Sequence, residues 1–261
     1  MFREDFYMST LNSFVSKAAL ALLLVASLIS VDHNRVAQAA EEPELINLPG
    51  NFSGSFGFFT DYRFRGISQT ANEAAVQGNL DWGHEMGFYA GVWGSNVEFG
   101  AAGAGNTEFD IYAGVARKYW GITFDIGGVY YTYPGATDAL ALDFFEYKFG
   151  MSYDFSLIEM GATVYYTPEN TASSGNGTYL SYDATIPLVS RLAMTGHVGR
   201  QWITDETSFT RPDYTDWSIG ATYATHGFDL SVTYLDTNLS TTECGGNVCD
   251  SEVIFGISRS F

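Results

Sequence analysis

The sequence predicts an all-β protein, a transmembrane antiparallel β-barrel of about twelve strands. Three observations carry this. Apolar and polar residues alternate with period two along most of the chain, which is the strand period. The connections between alternating segments switch strictly between short and long. Beyond residue 39 no apolar run reaches the length of about 18 residues that a membrane-crossing helix needs. In hydrocarbon every backbone N–H and C=O must be paired within the protein, so a chain that cannot cross as helices must close a sheet.

The elements follow in order. Residues 1–39 read as a secretory signal peptide: Lys17 precedes the uncharged run 18–31, and Ala37 and Ala39 form an A-x-A cleavage signal. An uncleaved anchor is the alternative. Residues 40–52, acidic and Pro-containing, read as a short periplasmic lead-in, and residues 53–261 as the barrel.

The expected strands are 53–65, 75–83, 87–97, 108–119, 122–133, 144–154, 156–167, 178–187, 191–203, 214–225, 228–236 and 251–261. In 53–65 the even positions Phe56, Phe58, Tyr62 and Phe64 oppose Ser53, Ser55, Asp61, Arg63 and Arg65. In 75–83, Val76, Leu80 and Trp82 oppose Gln77, Asn79 and Asp81. In 108–119, Phe109, Ile111 and Val115 oppose Glu108, Asp110, Tyr112 and Lys118. In 144–154, Phe145, Tyr147, Phe149, Met151 and Tyr153 oppose Glu146, Lys148, Ser152 and Asp154. Segments 87–97 and 122–134 carry large residues on both faces, so their inward side is ambiguous.

Short links such as GHEM, WG and HG alternate with long polar ones such as GISQTANEA, TPENTASSGNG and DTNLSTTECGGNVCDS. Outer-membrane barrels sort their connections this way, with periplasmic turns at one rim and extracellular loops at the other. Tyr and Trp near strand ends (Tyr130, Tyr131, Tyr133, Tyr165, Tyr166, Trp82, Trp120, Trp202, Trp217) suit the membrane–water boundary. The last strand carries Val253, Phe255, Ile257, Arg259 and Phe261 on one face. That pattern resembles the signal that barrel-insertion machinery reads, with Arg259 as the departure; outer-membrane lipid is the other expected partner.

Composition narrows the function. Only 16% of residues are charged, with 30 acids against 12 bases and a net charge of −18. Nucleic acid is excluded as a partner, because phosphate binding needs a basic surface. The acidity serves solubility, or forms a rim or lumen that draws cations. Cys244 and Cys249 lie beyond the export signal, where an oxidising compartment makes a loop disulfide plausible. No metal site and no cofactor are expected.

The stretches TDYRFRGISQT (60–70), LDWGHEMGFYAGVWGSNVEF (80–99), EFDIYAGV (108–115), FDIGGVYYTYPG (124–135) and EYKFG (146–150) resemble the TorF-type family of outer-membrane porins. The resemblance implies location and class, not a substrate, and brings no catalytic residues with it.

The pore-lining candidates are Asp61, Arg63, Arg65, Asp81, Asp110, Lys118, Asp125, Glu146, Lys148, Asp183 and His197. Acids outnumber bases among the inward polar positions, which favours cations in an open, water-filled pore. Alternatively the charges pair across strands and partly plug the barrel. Asp61, Arg63 and Arg65 select charge near the outer mouth, or form a salt-bridge network that fixes register. The expected function is an outer-membrane channel for passive diffusion of small hydrophilic solutes or ions, leaning toward cations. The alternatives are a structural or adhesive barrel acting through its loops, and an outer-membrane hydrolase. The hydrolase needs a base and a nucleophile; His197 faces inward with Asp183 on the preceding strand and Ser218 one strand on, but no hydrolase signature is present.

Overall fold

The computed structural model describes residues 49–261. The expected signal peptide, 1–39, and most of the expected lead-in, 40–52, lie outside the described residues. The strands are β1 (Asn51–Phe59), β2 (Arg63–Phe64), β3 (Ile67–Ser68), β4 (Ala75–Gly83), β5 (Phe88–Asn96), β6 (Thr107–Tyr119), β7 (Ile122–Thr132), β8 (Phe144–Asp154), β9 (Glu159–Thr167), β10 (Gly177–Val189), β11 (Leu192–Ile203), β12 (Tyr214–Thr225), β13 (Phe228–Thr237) and β14 (Glu252–Ser260). Twelve of them close an antiparallel barrel, and β2 and β3 form a separate two-stranded hairpin. No helix among the described residues is long and apolar enough to cross a membrane.

Neighbouring strands pair in sequence order, and β1 seals the ring against β14, with Phe58 opposite Ile257 and Ser55 opposite Ser260. Gly54 and Phe261 add two further backbone bonds of 3.0 and 2.9 Å at the seam. With no free edge, every wall strand has a partner on both sides.

The outward parity is apolar. Phe56, Phe58, Leu80, Ile111, Phe149, Met151 and Ile219 are all exposed. Such a continuous apolar surface far exceeds the few hundred Å² that a soluble monomer tolerates. Hydrocarbon is the medium in which it costs nothing, so this is a membrane-spanning wall.

The two ambiguous segments are explained by the lumen. In β5 and β7 the inward residues Tyr89, Trp93, Val129 and Tyr131 are large because they fill the interior, and glycines beside them make room. Gly114 and Gly127 face each other across β6 and β7. A Cβ at either would lie 2.4 and 2.6 Å from the Tyr89 hydroxyl. The Tyr89 ring therefore lies on bare backbone, and its hydroxyl donates to Asp125 at 2.7 Å.

The first expected strand, 53–65, ends at Phe59 in the structure. Alternation continues past Phe59 because the chain leaves the wall and forms the β2–β3 hairpin, which has the same period. The remaining strands lie within a few residues of their expected bounds. At one end of the barrel the links are short, 84–87, 120–121, 155–158, 190–191 and 226–227. At the other they are long, 60–74, 97–106, 133–143, 168–176, 204–213 and 238–251.

In the last long loop Cys244 and Cys249 are disulfide-bonded. The bond follows a short helix, α2 (Thr241–Cys244), which comes after α1 (Glu206–Phe209) in the preceding long loop. A capping box starts α2: the Ser240 hydroxyl accepts from the Glu243 backbone N–H, and the Glu243 carboxylate accepts from that of Ser240. Cys244 and Cys249 pack with Ile67, Tyr214 and Leu239, which joins this loop to the hairpin.

Candidate functional site

The first long loop turns inward. Its β2–β3 hairpin has Arg65 and Gly66 at the tip, with φ of 50° and 80°. Positive φ at both central residues is what a two-residue type I′ turn requires. A Cβ on Gly66 would lie 2.5 Å from Thr237 Cγ2 and 2.8 Å from Asp216 Cβ, so the tip is pressed against the wall at β12 and β13. The base is held by Asp61, whose carboxylate accepts from Arg63 Nε at 2.5 Å, Ser68 Oγ at 2.6 Å and Thr70 Oγ1 at 2.7 Å. Arg63 also donates to the carbonyls of Val248 and Asp250, at 2.9 and 3.2 Å, tying the hairpin to the disulfide loop.

Arg65 reaches into the lumen. Its Nη2 donates to Glu146 Oε2 at 2.5 Å and its Nη1 to Gln201 Oε1 at 2.7 Å. The guanidinium sits 4.2, 4.6 and 5.4 Å from the ring centroids of Tyr179, Phe64 and Tyr165, in cation–π range. Burial, the largest single effect, would lower the Arg65 pKa, but the charge and hydrogen bond of Glu146 together with Tyr131 and Tyr179 outweigh it and the net shift is upward. Nearby, Tyr62 donates to Glu108 Oε1 at 3.2 Å. Burial first, then the charges of Glu108 and Asp110, push the Tyr62 hydroxyl well above its ordinary value, so it stays a donor.

Below the hairpin several wall charges are paired. Lys148 meets Asp125 at 2.6 Å. His197 has a carboxylate at each ring nitrogen, Asp183 at Nδ1 (2.6 Å) and Asp216 at Nε2 (3.0 Å). Tyr112 donates to Asp81 at 2.5 Å. A cavity of about 350 Å³ lies beneath the hairpin, and its charged lining includes Arg65, Asp110, Lys148, Asp183, His197 and Asp216.

The structure thus places Asp61, Arg63 and Arg65 in the folded-in loop, and Asp81, Asp110, Asp125, Glu146, Lys148, Asp183 and His197 on the inner wall. Lys118 shares the inward parity of β6 but lies at the short-turn end, exposed and away from the cavity. Asp183, His197 and Ser218 are register partners across three strands. The imidazole is nonetheless engaged by two carboxylates and the Tyr179 hydroxyl rather than by Ser218, which is not the arrangement that activates a nucleophile. No group of three His, Cys, Asp or Glu side chains among the described residues is placed to hold a metal.

Tyr131, Tyr133 and Tyr165, expected at the membrane boundary, face inward instead: all three interact with lumen carboxylates, and Tyr131 and Tyr165 line the cavity. The signal was available, since Tyr131 shares its parity with Asp125 and Tyr165 is the register partner of Lys148. Asp216 and Gln201 were missed for a different reason. Their importance lies in contacts with other elements, His197 and Tyr179 for Asp216 and the hairpin's Arg65 for Gln201, which no local pattern marks.

A family model described as bacterial proteins of unknown function (Gcw_chp) matches residues 46–261. The chain belongs to that family. Its description does not carry the TorF-type name. No curated protein matches the chain. Among solved structures the chain is similar to the KdgM porin at 8% identity and a TM-score of 0.55, with 80% of this chain and 99% of that one covered. It is similar to the NanC porin at 13% identity and a TM-score of 0.54, with 80% and 98% covered. A KdgM porin in complex with disordered oligogalacturonate aligns at 6% identity and a TM-score of 0.56, with 80% and 99% covered. At these identities the likeness is one of fold.

Proposed function

We propose that the chain is an outer-membrane channel for passive diffusion of small hydrophilic solutes or ions, leaning toward cations. The observation that carries this is a closed ring, apolar outside, around a charged cavity of about 350 Å³. The fold shared with solved porins and the TorF-type motifs support the same reading. The long-loop end then faces the cell exterior, and the hairpin guards the outer mouth. Outer-membrane lipid covers the apolar belt, and β14 with Phe261 is the segment offered to the insertion machinery after a cleaved signal peptide has exported the chain.

Support for the cation lean comes from the pairing. Asp61 and Glu146 are bound to arginines, so neutralising either would leave an arginine uncompensated in the lumen and weaken the preference. The KdgM complex holds an oligogalacturonate, which is anionic. In this lumen Arg63, Arg65 and Lys148 each already have a carboxylate, which favours anions less.

The test is reconstitution in planar bilayers, followed by liposome swelling with graded sugars, amino acids and organic acids. Discrete conductance steps and a reversal potential on the cation side in a KCl gradient are expected. Complete absence of steps at any voltage overturns the channel.

A further inference from the structure

Among the described residues, the inner wall contains a buried carboxyl group that the pairing leaves over. Asp110 is 7% exposed, and its Oδ1 has no hydrogen-bond partner. Two acids in the same half, Glu108 and Glu146, each 1% exposed, also have one oxygen without a partner, Oε2 and Oε1 respectively. Glu108 and Glu146 still receive Tyr62 and Arg65 through their other oxygens. Asp110 has neither an ion pair nor such a donor, and it lines the cavity. A buried carboxyl group in this condition can carry its charge only at the cost of losing water, a cost that a positively charged guest offsets.

Register shows what surrounds it. Asp110 stands opposite Trp93 on β5 and opposite Tyr131 on β7. All three face inward and all three line the cavity. Directly opposed positions sit within about 5.5 Å at Cβ, so the row Trp93–Asp110–Tyr131 is a carboxyl group between two aromatic walls. Tyr62, just before the hairpin, packs on it, with its ring centroid 5.1 Å from that of Trp93.

We propose that this row is a binding site for an organic cation of guanidinium or alkylammonium type, taken up by the channel. It rests on the channel reading and names the solute class that the reading leaves open. A bare metal ion does not suit it, because the described residues supply no three-ligand cluster and aromatic walls offer no oxygen ligands. A flat or softly hydrated cation suits both the carboxylate and the ring faces. The lumen already satisfies the same chemistry once: the Arg65 guanidinium lies among Phe64, Tyr165 and Tyr179 with Glu146 as its anion. The Asp110 row repeats that recipe without a tethered guest.

The experiment uses the folded protein in detergent micelles, checked by heat-modifiable gel mobility and titrated calorimetrically with butylguanidinium chloride. The uncharged isostere butylurea is the control. Saturable butylguanidinium binding is expected, with butylurea weaker by roughly tenfold or more. Asp110→Asn should weaken the cation by about tenfold, and Trp93→Leu by several-fold. Asp229→Asn, at the short-turn end, should leave it unchanged. Equal affinity for butylurea overturns the site, as does wild-type affinity in Asp110→Asn or displacement of the guest by calcium. If Asp110→Asn fails to fold, the isostere and Trp93→Leu still decide. Charge-dependent binding without conductance sinks the channel and keeps the site. Conductance without charge-dependent binding does the reverse.

Discussion

The two halves of the lumen are built differently. Toward the long loops the inner wall is crowded: Glu108, Tyr131, Glu146, Tyr179, Gln201, Tyr214 and Asp216 are buried, and the hairpin packs among them. Toward the short turns several inward positions are small, among them Ser152, Thr163, Thr185 and Thr195, and are half-buried or exposed. One cylinder of strands thus carries a packed polar plug at one end and a plain conduit at the other. On the channel reading, resistance and selectivity belong to the first half, where side chains rather than water would be the neighbours of a passing solute.

The strongest way to break this comparison is to remove the hairpin. Replacing residues 61–70 with a Gly-Ser linker should raise single-channel conductance several-fold. An unchanged value would place the constriction elsewhere. Arg65→Ala comes next, because it leaves Glu146 buried without its cation. A cost of about 3 kcal/mol in urea unfolding is expected, with a rise in conductance. Thr185→Val in the open half should stay within about 0.5 kcal/mol. Comparable losses at the two positions would show that the halves are not energetically distinct.

Removing the disulfide tests how the plug is held. For so short a loop, Cys244→Ser with Cys249→Ser should cost about 2 kcal/mol on the chain-entropy account. Arg63 donates to carbonyls on either side of Cys249, so current traces should also become noisier as the hairpin loosens. The smallest effect belongs to Lys118→Gln. Lying outside the cavity, it should change stability by less than about 0.5 kcal/mol and leave conductance in concentrated KCl unaltered.

The wall was legible in the sequence because lipid enforces one parity. Phe145, Tyr147, Phe149, Met151 and Tyr153 can face only hydrocarbon if Glu146 and Lys148 face water, and short links mark where each strand turns back. The hairpin that forms the plug was not legible. Asp61, Arg63 and Arg65 continue the alternation of β1, so nothing local distinguishes a wall strand from a hairpin that leaves the wall. The pairing of Arg65 with Glu146 joins residues 81 apart in sequence and depends on how far the loop reaches inward. The row Trp93–Asp110–Tyr131 needs the registers of two strand pairs at once. A slip of two residues in either would keep every face correct and still dissolve the row.

The seam between Gly54 and Phe261 has a consequence for biogenesis. Any shorter stretch of chain emerging during synthesis is an open ribbon with two bare margins, eager to pair with whatever strand it meets. The wall cannot be completed piecemeal from its leading end, because its first strand waits on its last. On the outer-membrane reading, closure of the ring therefore waits until the last strand is available to the first.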